Sequence, residues 1–214
     1  MPDALLPLFP LGVVLFPRTA LPLHIFEDRY KEMIGEAIEQ DSEFGVVLAQ
    51  DNGVLHHGCT AKVGRVIKRY EDGRLDIVTM GTRRFELQRL DQQRSYLRGE
   101  VTFYDDSDGT DASAALRQRV TAGFRQVFAE QAQSFPFEID YQDPQLSFQL
   151  AQVLPDLEIK QELLGMRSEV DRLEKLIRFF PTFAAQREIG EHIRRVAPQN
   201  GHGKHLPSST VENE

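Results

Sequence analysis

The hydrophobic period changes once along this chain, at the acidic break Asp105-Asp106-Ser107-Asp108-Gly109. Before the break, apolar side chains fall on every second residue, the period of a strand with one buried face. After it they fall every three or four residues, the period of a helix with one buried stripe. Strands therefore come first and helices second, as expected for an α+β chain. The acidic run itself reads as a solvated linker.

Residues 5–26 are apolar but carry Pro7, Pro10, Pro17 and Pro22. Proline lacks an amide donor and is confined to the edges, starts and bulges of sheets, so short extended pieces fit better than one helix or one long strand. Glu27 and Asp28 then open a helix at its positive dipole end, with Tyr30, Met33, Ile34, Ala37 and Ile38 as its apolar stripe. Phe44–Ala49, Ala61–Tyr70 and Leu75–Met80 read as strands. The Asp72-Gly73 pair between the last two is a hairpin signal. Phe85 and Leu87, then Gly99, Val101 and Phe103, alternate with polar neighbours. One helix amid six or more strands predicts a partly closed barrel with a helix packed on it.

Past the break, Leu116, Val120, Phe124, Val127 and Phe128 share one helical face. Asp143-Pro144 reads as a cap followed by proline at the first helical position, opening a helix that Pro155 ends. Asp156 caps a short helix to Gly165. Ser168-Glu169-Val170-Asp171 resembles a capping box, and Pro181 stops or kinks the helix it opens, with Thr182 restarting one. The expected organisation is a barrel over residues 1–105, a helical bundle over 110–197 and a disordered tail over 198–214.

There are 33 acidic residues against 25 basic ones, a net charge of −8, so the default is repulsion from nucleic acid and from anionic membrane. Cys59 is the one cysteine, which excludes an intrachain disulfide and fits a reducing compartment. No apolar run reaches the roughly 18 residues of a membrane span, and the start lacks the basic region of a signal peptide. The expectation is a cytoplasmic protein that needs no metal or other cofactor.

Few residue patterns suggest chemistry. His56-His57-Gly58-Cys59 invites a zinc reading, but adjacent histidines on an extended chain point to opposite faces and no second cysteine is present. A loop entering a strand is the expected account. Cys59 with His57 could form a nucleophile–base pair only if the thiol has thiolate character. His24, inside the apolar opening, reads as a core or rim histidine. Arg65, Lys68, Arg69, Arg83 and Arg84 form a basic cluster on predicted strands, with Tyr70 and Phe85 among them. Aromatics for base stacking beside phosphate-binding cations are the ingredients of an RNA reader, against the plainer reading of a charged strand face balanced by Glu71, Asp72 and Asp76.

Leu6-Pro7-Leu8, Phe16-Pro17 and Leu21-Pro22-Leu23, followed by the helix from Glu27, resemble the opening of the N-terminal domain of Lon-type ATP-dependent proteases. Further pieces fit the same family in order: Gly58-Cys59-Thr60-Ala61, Asp72-Gly73, Gly81 with Arg84, Leu154-Pro155, Lys160-Gln161-Glu162-Leu163-Leu164 and Arg172-Leu173. The resemblance implies a PUA-like β-barrel with one packed helix, followed by an α-helical bundle. It implies recognition without catalysis, since these 214 residues hold neither a Gly-x-x-x-x-Gly-Lys-Ser/Thr loop nor a Ser–Lys peptidase domain. Expected partners are unfolded or degradation-marked polypeptide, or a partner protease or chaperone. The expected contact residues are Phe9, Phe16, Pro17, Leu21 and Leu23, most of them core and no more than two or three exposed. RNA or a small ligand on the barrel is the alternative.

Overall fold

Strands β1 (Leu6–Leu11), β2 (Ala20–Ile25), β3 (Phe44–Gln50), β4 (Gly53–Arg69), β5 (Leu75–Asp91) and β6 (Leu97–Tyr104) form one mixed sheet in the order β2-β5-β4-β3-β1-β6. A further pairing of β5 with β6 closes this sheet into a barrel. The computed structural model describes residues 5–107, 111–131, 135 and 138–196, with side chains described to 187 and at 189. The expected tail over 198–214 lies outside the described residues.

Closure depends on the length of β5. Its first half, Leu75–Met80, pairs with β2, and its second half, Arg84–Asp91, pairs with β6. The sequence breaks this strand at Gly81, but the strand continues there and changes neighbour. Gly81 is glycine because a Cβ would sit 2.1 Å from the Phe16 carbonyl oxygen, where the opening segment crosses the sheet. β4 is likewise longer than its periodicity suggests. His56–Cys59 lies within it, not in a loop, because this half of β4 pairs with both β3 and β5.

Inside the barrel, Leu8, Val47, Phe85 and Leu87 make a small closed cluster. A Cβ at Gly58 would lie 2.3 Å from Phe85 Cζ, so the ring fills the space a side chain would otherwise need. Outside the barrel, α1 (Asp28–Glu39) buries Tyr30, Met33, Ile34 and Ala37. Phe9 packs against Tyr30 at 4.1 Å between centroids, the rings tilted by 31°. That outer core continues without a gap into the helices α2 (Ala114–Phe128), α3 (Leu146–Ala151), α4 (Leu157–Gly165) and α5 (Glu169–Val196). Phe124 and Phe128 of α2 meet Phe180 of α5.

Two helix boundaries depart from the sequence reading. α5 runs through Pro181 as one helix, held by the packing of Phe180 and of Phe183, which stacks on Phe128 at 5.7 Å. α3 begins at Leu146, after the proline rather than at it. Asp143 is buried, pairs with Arg18 and accepts from the Gln145 amide at 2.7 Å. The caps expected at Asp156 and Ser168 form, accepting from Ile159 N and Asp171 N.

The acidic break holds the main electrostatic feature, which the sequence reading took for solvated linker. Asp106 is clamped between two buried guanidinium groups, Arg84 from β5 and Arg172 from α5, each at 2.6 Å. Arg84 also donates to the Leu164 carbonyl, and Arg172 pairs with Glu169, whose carboxylate takes the Ser147 hydroxyl. Phe148 lies under both cations, 5.3 Å from Arg84 and 4.3 Å from Arg172. Phe16 stacks on its ring at 5.1 Å. Burial pushes the Asp106 carboxyl up, but hydrogen bonding to Arg172 and the charges of Arg172 and Arg84 override this and hold it at about 2. For the more deeply buried Glu169, burial outweighs Ser147 and Arg172 and leaves its carboxyl above the usual range.

Candidate functional site

An open apolar groove lies where the end of β2, the start of α1 and the β3–β4 and β5–β6 turns approach one another, with a volume of about 600 Å³. Phe9, Leu11, Leu23, Leu90 and Leu97 are among its apolar lining residues. Phe26 stands at its mouth with 59% of its surface exposed. This is the size of a site for a few side chains. Two of its charged groups are engaged with each other, Arg29 pairing with Glu27 at 2.7 Å and lying over the Tyr30 ring.

Phe26 was missed by sequence reasoning, which ended its contact list at Leu23. A usable signal was present. Phe26 directly precedes the N-cap Glu27 of α1, the position from which an apolar residue normally packs onto the fourth helical residue. Here that residue is Lys31, which instead reaches Asp28 and the Asp72 carbonyl. With no apolar partner below, the ring turns outward. His24 stacks beside it at 5.9 Å and places Nδ1 2.6 Å from Asp76 Oδ1, while Tyr70 donates to the other carboxylate oxygen at 2.7 Å. These bonds, first from His24 and then from Tyr70, hold the Asp76 carboxyl below its usual range.

The other expected contact residues fall in different places. Phe16 is fully buried and Pro17 is buried, so neither presents a surface to a partner. Phe9 is 6% exposed and meets the groove only as a buried lining residue. Leu21 and Leu23 are half-buried and pack against the core.

The five basic residues do not share a surface. Arg84 is a buried structural cation, and Arg83 pairs with Glu43 and covers Phe103 at 3.9 Å. Tyr70 has Lys68 at 4.4 Å and Arg74 at 4.8 Å over its ring, so cations already lie where a base would stack. Only Arg65, Lys68 and Arg69 remain exposed and without an ion pair among the described residues.

Cys59 is fully buried, and burial pushes its thiol far up, which removes thiolate character. His57 is occupied by the Tyr104 hydroxyl at 3.2 Å, and burial lowers its pKa. Among the described residues no group of three His, Cys, Asp or Glu side chains could hold a metal, and no helix is long and apolar enough to cross a membrane.

Comparison with known proteins accords with this architecture. The Lon N-terminal domain protein from Xanthomonas campestris superimposes with a TM-score of 0.65 at 27% identity, covering 82% of this chain and 98% of that one. The N-terminal domain of Mycobacterium avium complex Lon protease shares the fold with a TM-score of 0.61 at 17% identity, covering 83% of this chain and 98% of that one. In sequence, the Lon protease of Parabacteroides distasonis is 33% identical over 117 residues, 50% of this chain and 14% of that protein. Lon protease 1 of Hydrogenovibrio crunogenus is 21% identical over 206 residues, 87% of this chain and 25% of that protein. The chain thus spans a quarter or less of the length of these relatives. With a family model matching residues 5–180, this chain belongs to the ATP-dependent protease La (LON) substrate-binding domain family.

Proposed function

We propose that this chain is a recognition module that binds unfolded or degradation-marked polypeptide without acting on it chemically, and that the groove at Phe26 is where it does so. The observation that carries the reading is the exposure of Phe26, 59%, at the mouth of a groove lined by apolar residues, in a member of a substrate-binding family. An aromatic ring held out at a helix start keeps apolar area in water that a partner side chain can cover, at about 25 cal/mol per Å². Such capture discriminates by apolarity and not by sequence, which suits unfolded chains. It needs neither ATP nor any other cofactor.

The test places a photoreactive benzophenone amino acid at position 26 and, as a control, at exposed Glu39. A permanently unfolded polypeptide should crosslink at position 26 and not at 39. Equal crosslinking at both positions would remove the groove from the account.

A further inference from the structure

The outward face of β2-β5-β4 carries three rungs of directly opposed residues. Ala20 faces Met80 and Met80 faces Lys62; Pro22 faces Val78 and Val78 faces Arg65; His24 faces Asp76 and Asp76 faces Lys68. The opposite face of β5, Leu75, Ile77 and Thr79, is buried, so these rungs point away from the core. In their first two columns Ala20, Pro22, Val78 and Met80 make an apolar strip, with Met80 43% exposed, and the third rung is the His24–Asp76 pair. Their third column is a line of cations. Ile67, displaced outward where the β4 register shifts, adds a further 52% exposed aliphatic side chain beside that line.

The charges on this face are unbalanced. Lys62 pairs with Asp41, and Asp76 is taken up by His24 and Tyr70. Arg65 and Lys68 make no ion pair among the described residues, although the chain as a whole carries eight more acids than bases. Among the described residues Arg65, and Lys68 where it lies over the Tyr70 ring, are cations without a carboxylate partner. They lie beside an uncovered aliphatic strip and complement a ligand that is apolar along one side and acidic along the other. The rungs are about 7 Å apart, which is also the spacing of alternate side chains in an extended peptide.

We propose that this face binds an extended polypeptide segment in which apolar and acidic residues alternate, its apolar side chains over Pro22, Val78 and Met80 and its carboxylates toward Arg65 and Lys68. The strip itself is aliphatic and the neighbouring Tyr70 ring already carries Lys68 and Arg74, which favours peptide over RNA as the occupant. The inference does not rest on the groove reading, because Pro22, Val78, Met80, Arg65 and Lys68 do not line the groove.

The test titrates the protein into a fluorescein-labelled peptide of alternating leucine and glutamate, with leucine–lysine and serine–glutamate peptides as comparisons, and follows anisotropy. The leucine–glutamate peptide should bind saturably and more weakly as salt rises. Arg65→Glu with Lys68→Glu should weaken it about tenfold and shift preference to the leucine–lysine peptide. Met80→Ser should weaken both. Arg119→Ser, on the exposed side of α2, should leave binding within about twofold of wild type. All these sites are exposed, and unchanged circular dichroism confirms that each variant folds. Equal binding of the leucine–glutamate and leucine–lysine peptides, no effect of the charge reversal, or a single-stranded RNA oligonucleotide binding in place of the peptide would each overturn the proposal.

Discussion

Replacing Asp106 with Asn keeps the shape of the side chain and removes the charge between Arg84 and Arg172. Those guanidinium groups are 2% and 0% exposed, so water does not replace the lost carboxylate. Breaking a buried ion pair by removing one partner costs about 3–5 kcal/mol. Arg172 keeps Glu169 and Arg84 keeps the Leu164 and Met166 carbonyls, which places the expected loss near the lower end, about 3 kcal/mol. For a chain of this length that corresponds to a fall in Tm of roughly 6–12 °C. Urea unfolding followed by circular dichroism reads the same quantity. The pH dependence supplies a second arm. Because the folded carboxyl is held at about 2, below its ordinary 3.8, its contribution is present above the ordinary value and lost as pH falls through the folded one. With allowance for partial exposure the contribution is about 1–2 kcal/mol. The gap in stability between wild type and Asp106→Asn should therefore narrow between about pH 4 and pH 2. A loss under about 1 kcal/mol at neutral pH, or a gap that does not change with pH, would refute the clamp as the tie between barrel and helices.

Other variants separate core from surface. Phe16→Ala removes a fully buried ring stacked on Phe148 and should cost about 3–5 kcal/mol in urea unfolding; a cost below about 1 kcal/mol would show that the ring is not part of the core. Gly58→Ala puts a methyl against Phe85 and should cost about 1–3 kcal/mol, read as a drop in Tm, whereas an unchanged Tm would mean the barrel interior has room. Cys59 should resist a thiol reagent in the native protein and react fully once unfolded in guanidinium; fast native labelling would contradict its burial.

The sequence-level features that proved legible are those set by local physics. Pro17 separates β1 from β2, with Pro7, Pro10 and Pro22 inside these short strands. The Glu27–Asp28 start and the Asp156 cap mark helices because charge and capping at a helix start act over a few residues. The length of β5 was not legible, because its continuation through Gly81 depends on two strands, β2 and β6, that reach it from distant parts of the chain. Pro181 misled for the same reason: neighbouring aromatics of α2 hold α5 continuous across it. At the site, apolar character alone did not distinguish Phe16 from Phe26. Burial is decided by what lies opposite, which is the buried Phe148 ring in one case and the exposed His24 ring in the other. Arg84 and Asp106 looked like surface charges because their partner, Arg172, lies 66 residues beyond Asp106.

The most direct test of the groove is fluorescence anisotropy of a labelled, permanently unfolded polypeptide titrated with wild type and with Phe26→Ser, no ATP present. Phe26 is exposed, so the variant should melt within about 0.5 kcal/mol of wild type. The expected result is saturable binding to wild type, with the label left intact, and binding weakened at least about tenfold in the variant. Equal binding by the two proteins, or no binding by wild type, would contradict polypeptide capture at this groove.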